Sequence, residues 1–394
     1  MLSIGARLCS IVLMDRPDIC AFFVEIEDPR VERTRRHDLV EVIVMAVLGV
    51  ICNADGWPDI AQFCTVRKDW LRTFLELRGG VPSPSTFRRV FTALDVDAFN
   101  AAFMKWTQSL VGSLGGKLLA IDGKTLRGSY SSHAAQDPLH IVSAWVGENQ
   151  IVFGQVATDA KSNEITAIPK LLEMLDVRGA TITIDAMGCQ RRIVDTIVER
   201  GGNYVIAVKD NQPSLRAAVE AAFTTCEIAN EQLPASANFE SLDRAHGRVE
   251  RRAVRALDII DRLGERQDWT GLQSIVMVNS ERTVRGTTSQ EARYYISSLP
   301  PDAAELAAAI RGHWGIENQQ HWTLDMTFHE DRSRSRKGNA PDNFALLRRI
   351  ALNLLKGEKT KKLSLAGKRK LAGWDTAYLL RVLQSVGTSA PTTA

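Results

Sequence analysis

The spacing of apolar residues changes twice along the chain, and each change marks a new kind of element. From Phe23 to about Leu114 apolar positions recur at helical intervals: LVEVIVMAVLGVI is a long apolar run, and DIAQFCTVRKDWLRTFLEL repeats its apolar residues every three or four positions. GGVPSPSTFRRVFTALD then supplies a turn, a Ser-Pro start signal and a short helix carrying Thr86, Arg88 and Arg89. At Lys117 the period shortens. KLLAIDGKTLRG, HIVSAWVG and IVFGQVATD read as three strands, followed by an amphipathic helix (ITAIPKLLEMLD), a buried strand (ATITIDAM), a helix (QRRIVDTIVERG) and another strand (NYVIAVKD). Between about Phe223 and Pro300 β segments alternate with polar loops, an insertion rather than more doubly wound sheet. Helical spacing returns at Asp302 and runs through NFALLRRIALNLLKG to about Gly357.

Three meandering strands followed by alternating helix and strand predict a mixed α/β sheet with flanking helices. The chain divides into a helical N-terminal unit (23–114), a mixed α/β unit split into 115–222 and 301–357, a β-rich insertion (223–300) and a basic C-terminal tail (358–394). Residues 1–22 faintly imitate a signal peptide, but Asp15 and Arg16 interrupt the apolar run and no cleavage site follows, so they read as a poorly ordered extension. The longest apolar run, Val42 to Cys52, has 11 residues, well short of the ~20 that span a bilayer, and no membrane partner is expected.

Composition adds little except by exclusion. With 394 residues, 45% hydrophobic and 24% charged, the chain can build a large core. Six scattered cysteines without a C-x-x-C pair argue against a zinc ribbon or a disulfide framework and fit a reducing cytoplasm. A net charge of +3 is too slight to imply a nucleic-acid partner by itself. Its distribution says more, with basic clusters at 30–36, 332–337 and 356–370.

Candidate chemistry begins with acids at strand ends. Asp122 closes one apolar strand (AIDG) and Asp185 another (TIDAMG), the end of an open α/β sheet that favours ligands. One strand-end aspartate is ordinarily a turn former or helix cap. Two on neighbouring strands, joined by Glu317 from a later helix, make a three-carboxylate cluster. Two carboxylates ~4 Å apart repel by about 4 kcal/mol at an effective dielectric of 20, and a hard divalent cation removes that repulsion. Magnesium suits an all-oxygen site, and a pair of ions suits in-line displacement at phosphorus. On a regular helix from Asp302 to about Leu324, His313, Glu317 and His321 share one stripe. A His-Glu-His transition-metal site would leave the upstream aspartates unexplained, and no H-E-x-x-H pattern exists. The helix, Gly-containing turn and basic helix around Arg88 and Arg89 outline either a helix-turn-helix DNA reader or a plain helical hairpin.

AIDGKTLRGS, SNEITAIP, TIDAMGCQ, YVIAVKDNQ and HWGIENQQHWTLDMTFHED, in that order, resemble the DDE transposases of bacterial insertion sequences, and more closely the subgroup that includes the H-repeat-associated proteins. EDPRVERTRRH, ICNADGW and PSPSTFRRVFTALD are similar to that subgroup's N-terminal associated domain. The resemblance implies a ribonuclease-H-like catalytic domain with Asp122, Asp185 and Glu317 as catalytic residues and as ligands of two Mg²⁺ ions, Mn²⁺ being the substitute. It implies cleavage of element ends and strand transfer into target DNA, by a dimer on double-stranded DNA in the nucleoid-bearing cytoplasm. A DNA-binding remnant without catalysis and a stand-alone metal-dependent nuclease are the rival readings.

Where the wider superfamily often carries an arginine four residues before the glutamate and a lysine seven after it, this chain has His313 and Leu324. Arg311 or His313 would take over the first role. Lys209 and Asn211 are expected to contact a phosphate or to form a polar turn, with Arg127 in the same position. Trp314 would stack on an unpaired base or pack against the sheet. Arg332, Arg334, Arg336 and Lys337 form a phosphate-gripping run or a solvated loop.

Overall fold

The computed structural model describes residues 19–130, 137–158, 164–245, 247–259, 263 and 268–384. Six helices come first: α1 (Ile19–Phe23), α2 (Leu39–Ile51), α3 (Trp57–Val66), α4 (Lys68–Leu71), α5 (Pro84–Ala93) and α6 (Val96–Val111). Then come β1 (Leu118–Thr125), β2 (His140–Val146), β3 (Ile151–Thr158), α7 (Glu164–Glu173), β4 (Thr181–Ile184), α8 (Arg191–Glu199), β5 (Asn203–Val208) and α9 (Pro213–Ile228). Strands β6 (Asn238–Ala245), β7 (Arg248–Asp258), β8 (Ser274–Val284) and β9 (Thr287–Ser297) precede α10 (Ala303–Gly315), α11 (Trp322–Met326), α12 (Ala340–Gly357), α13 (Leu365–Trp374) and α14 (Thr376–Gln384).

The nine strands of the described residues form one sheet, ordered β3-β2-β1-β4-β5-β9-β8-β7-β6. β1, β2 and β3 pair antiparallel, and β4 and β5 run parallel to β1. β9 pairs antiparallel with β5, so the expected insertion continues the central sheet instead of standing apart from it. Its expected start at 223 falls inside α9.

The N-terminal helices share their core with the sheet. Every residue of α2 but one is buried, as befits a helix apolar all round, and Asp38 caps its start by accepting from the Glu41 amide at 3.0 Å. Helix α6 and helix α12 close the otherwise free edge of β3. Asn353 donates to the Val152 carbonyl and accepts from its amide, both at 2.9 Å, while Asn100 and Thr107 donate to the carbonyls of Gln155 and Phe153.

Three expectations change. Residues 19–22, read as the end of an unordered extension, form most of α1, where Phe23 packs edge-on to Phe99 at 5.5 Å; residues 1–18 lie outside the described residues. The connection between α4 and α5 spans residues 72–83, far longer than the three or four residues of a tight helix-turn-helix. Residues 365–384 of the expected basic tail form α13 and α14, while 385–394 lie outside the described residues. Lys368 and Arg369 are buried there and donate to the carbonyls of Leu355 and Val50, because a cation inside a core must find acceptors. Among the described residues no helix is long and apolar enough to cross a membrane.

Candidate active site

Register places the two aspartates. Ile121 of β1 lies opposite Ile184 of the parallel strand β4, so Asp122 and Asp185 follow one another across the sheet at the same level. Asp185 leaves β4 and accepts from the Met187 and Gly188 amides at 2.9 and 3.4 Å, which caps the short turn behind it. Asp122 accepts from the Gly123 amide at 2.9 Å, with its other oxygen 3.5 Å from His321 Nδ1.

Glu317 arrives from the far end of the chain. Helix α10 lies close on β1 because Gly312 has no side chain: a Cβ there would come 2.1 Å from Leu118 Cδ2. The helix does not continue regularly into α11. Residues Ile316–His321 are π-helical, so the stripe expected of His313, Glu317 and His321 is broken where the glutamate sits. Such single-turn insertions re-aim side chains and recur at functional sites. The exposed Glu317 lines a cavity of about 370 Å³ together with Asp185, Thr183, Lys209, Arg293, His313 and Trp314.

Electrostatics couples the acids. Burial pushes the Asp122 carboxyl up to about 7, with the charges of Asp185, Glu317 and Glu164 adding to the rise against the Gly123 hydrogen bond. Asp185 is also raised, by burial and by Glu164, against its amide hydrogen bonds and Lys209. Burial lowers His313 to about 4; it lowers His321 to about 3, helped by Arg349 and Lys124, so both imidazoles are neutral near pH 7. Among the described residues no three His, Cys, Asp or Glu side chains form a ready-made coordination sphere. The carboxylates lie within charge range of one another and stand apart. Their donor set is all oxygen, and the mutual repulsion is of the kind a hydrated divalent cation relieves, so the residues fit such an ion.

The remaining sequence-predicted residues divide. Lys209, His313 and Trp314 join the cavity; His313 bonds Thr183 Oγ1 at 3.0 Å, and Arg293 lies 5.0 Å above the half-exposed Trp314 ring. Asn211 Nδ2 donates to the Ala186 carbonyl at 2.7 Å, tying its loop to the turn behind Asp185. Arg311 is paired with Asp243 of β6 at 2.8 Å, and Arg127 Nε lies 3.8 Å from Asp331, so both already have carboxylate partners. Arg88, Arg89, Arg332 and Arg334 are exposed and outside the cavity lining, as is Lys337; Arg336 is exposed too and donates to the Gly128 carbonyl.

Glu164 and His140 escaped the sequence reading. They meet at 2.7 Å beside Gly123, both buried. SNEITAIP contains the glutamate, but its partner comes from β2 and no sequence spacing joins the two. Lys124 was missed likewise. It is buried two residues after Asp122, 2.7 Å from Asp325 and 3.1 Å from Asp331.

A family model described as "Transposase DDE domain" matches residues 113–354, and one described as "DDE_Tnp_1-associated" matches residues 20–107. The chain belongs to the DDE transposase family. Among relatives of this DDE transposase, the "H repeat-associated putative transposase YhhI" of Escherichia coli (strain K12) is 38% identical over 358 residues, covering 90% of this chain and 94% of the relative. "Putative transposase YncI" of Escherichia coli O157:H7 is 39% identical over 364 residues, covering 91% and 93%. Among solved structures, the piggyBac transposase synaptic complex with hairpin DNA aligns with 96% of this DDE transposase and 83% of that chain, at a TM-score of 0.40 and 11% identity, too low to carry an inference.

Proposed function

We propose that this DDE transposase cuts the ends of an insertion element and joins them to target DNA, with Asp122, Asp185 and Glu317 as the catalytic carboxylates. What supports the reading is that two register-matched aspartates follow the paired residues of neighbouring parallel strands and that Glu317, from a helix more than a hundred residues later, lines the same cavity as Asp185. The run β3-β2-β1-β4-β5, antiparallel then parallel, supports reading the central unit as ribonuclease-H-like.

The three carboxylates would hold divalent cations, Mg²⁺ or Mn²⁺, which when bound supply Lewis acidity at the scissile phosphate. The protein's own contribution is placement. β1 and β4 fix the aspartates, the Gly123, Met187 and Gly188 amides orient their oxygens, and the π-helical turn presents Glu317 to the open cavity. Lys209 offers a cation to the DNA backbone at the cavity wall, where Arg293 is already paired with Glu291 and lies over one face of Trp314, leaving the other ring face for a base. Arg88 and Arg89 on α5, with Arg332, Arg334, Arg336 and Lys337 after α11, are proposed phosphate contacts on double-stranded DNA, engaged by a dimer that pairs two element ends.

The deciding assay uses the element's own terminal DNA with Mg²⁺ and compares the natural chain with Asp185→Ala. Cutting and joining by the natural chain, reduced more than about 100-fold in the variant, is expected; that loss exceeds what outer-shell partners of a metal alone cause. Binding without cutting by the natural chain would make it a DNA-binding remnant. Cutting without joining would make it a nuclease.

A further inference from the structure

We propose that His321 is a positioning residue for Asp122: its imidazole, turned into the protein by the π-helical turn, orients the Asp122 carboxylate for divalent-cation binding. The inference rests on the reading of Asp122, Asp185 and Glu317 as cation ligands.

On a regular helix His321 would lie one turn below Glu317 on the same face. Residues Ile316–His321 are π-helical, and the extra residue in the turn changes which side chains share a face. Glu317 stays exposed, the His321 side chain is 12% exposed, and its neighbour Trp322 is 59% exposed. The ring is aimed inward, at β1, on which the turn packs. Its Nδ1 stands 3.5 Å from Asp122 Oδ2. The other oxygen of that carboxylate accepts from the Gly123 amide at 2.9 Å, so backbone and imidazole address one oxygen each. His321 Nε2 is buried and among the described residues has no hydrogen-bond partner, which leaves Nδ1 as the ring's polar contact.

Burying a ring nitrogen without a partner costs stability, and an apolar side chain would fill the same space without that cost. A role at Asp122 gives the imidazole a reason to be there. The tautomer carrying its proton on Nδ1 donates towards Oδ2. At 3.5 Å the contact is longer than a made N–H···O bond, and such contacts in unliganded sites tighten when the ligand arrives. A donor on Oδ2 stops the carboxylate from rotating and leaves its remaining lone pairs to a cation. Partners that orient metal ligands in this way commonly contribute about 10–100-fold in affinity. If His321 only filled space in the core, its substitution would affect folding and leave cation binding untouched.

The test is titration calorimetry of Mn²⁺ into the full chain without DNA, alongside thermal melts in chelator. The proteins are the natural chain, His321→Asn, His321→Gln, His321→Leu and Asp185→Ala. The side-chain amide of asparagine places its nitrogen where Nδ1 stands, whereas that of glutamine reaches towards Nε2. His321→Leu and His321→Gln are expected to weaken Mn²⁺ binding about 10-fold or more, and His321→Asn, which keeps a donor for Asp122, to retain most of it. Should His321→Leu not fold, the comparison of His321→Asn with His321→Gln makes the same decision. Unchanged Mn²⁺ affinity in the folded variants, with only the melting temperature lowered, or no advantage of His321→Asn over His321→Gln, overturns the proposal and leaves the three-acid reading standing. Binding that is absent in the natural chain, or indifferent to Asp185→Ala, sinks that reading and this inference with it.

Discussion

Lys356 is 7% exposed, with Nζ 4.2 Å from the Trp145 ring centre and 3.4 Å from the Gln319 carbonyl in the π-helical turn. No carboxylate is among its described ion-pair partners, and burial pushes the amine down to about 7. The unfolded value is ~10.4, so the folded state binds protons less readily. The destabilisation is complete below pH 7 and fades as pH rises towards 10.4. Lys356→Met is therefore expected to raise stability at pH 7 by about 2–4 kcal/mol, the interaction with Trp145 and the carbonyl offsetting the rest, and to flatten the rise between pH 7 and 9.5. Urea denaturation across that range measures both effects; a destabilised variant would refute the expectation. At this scale AIDG and TIDAMG made Asp122 and Asp185 legible, because a lone polar residue ending an apolar strand stands out. His140 and Glu164 gave no such signal, since their meaning lies in a contact between separate elements.

Among the elements, the turn after α11 depends on a buried charge network. Glu330 and Arg349 meet at 2.7 Å with both side chains fully buried, and Lys124 lies 4.0 Å from the same glutamate. Burial works to raise Glu330, but Arg349, Lys124 and Arg348 outweigh it and hold the carboxyl below the usual range. A folded pKa below the unfolded ~4.3 contributes stability that is present above pH 4.3 and lost as pH falls through the folded value. Below about pH 4.3 the natural chain is expected to lose stability more steeply than Glu330→Gln, as read by denaturant midpoints at successive pH values. Arg349→Met should cost about 3–5 kcal/mol in the same measurement, because it strands a buried carboxylate; a cost under 1 kcal/mol would show the pair is dispensable. The helix bearing Glu317 was legible from its periodicity, but its π-helical turn was not. Residue spacing reports that a helix forms, whereas the extra residue in the turn Ile316–His321 leaves no mark in that spacing.

In the whole molecule the N-terminal helices, the sheet and the C-terminal helices are fastened to one another by Asn353, Asn100 and Arg369. The exposed Arg332 and Arg334 belong to this scale, since their proposed partner is a long duplex. If each neutralises one phosphate, Arg332→Ala and Arg334→Ala should each reduce the slope of log K against log salt by about 0.9, with little dependence on DNA sequence. Filter binding between 50 and 200 mM salt checks this, and an unchanged slope would remove the loop from the interface. The sequence by itself determined the kinds of element, their order and the two strand-end aspartates, because periodicity and chain punctuation are local. Only the tertiary structure decided that the insertion extends the same sheet, that residues 365–384 of the basic tail pack as α13 and α14, and that Glu317 lines one cavity with Asp185. Strand pairing and burial of charge depend on neighbours far along the chain, and the interaction that assigns such a residue its role does not exist until the chain has closed around it.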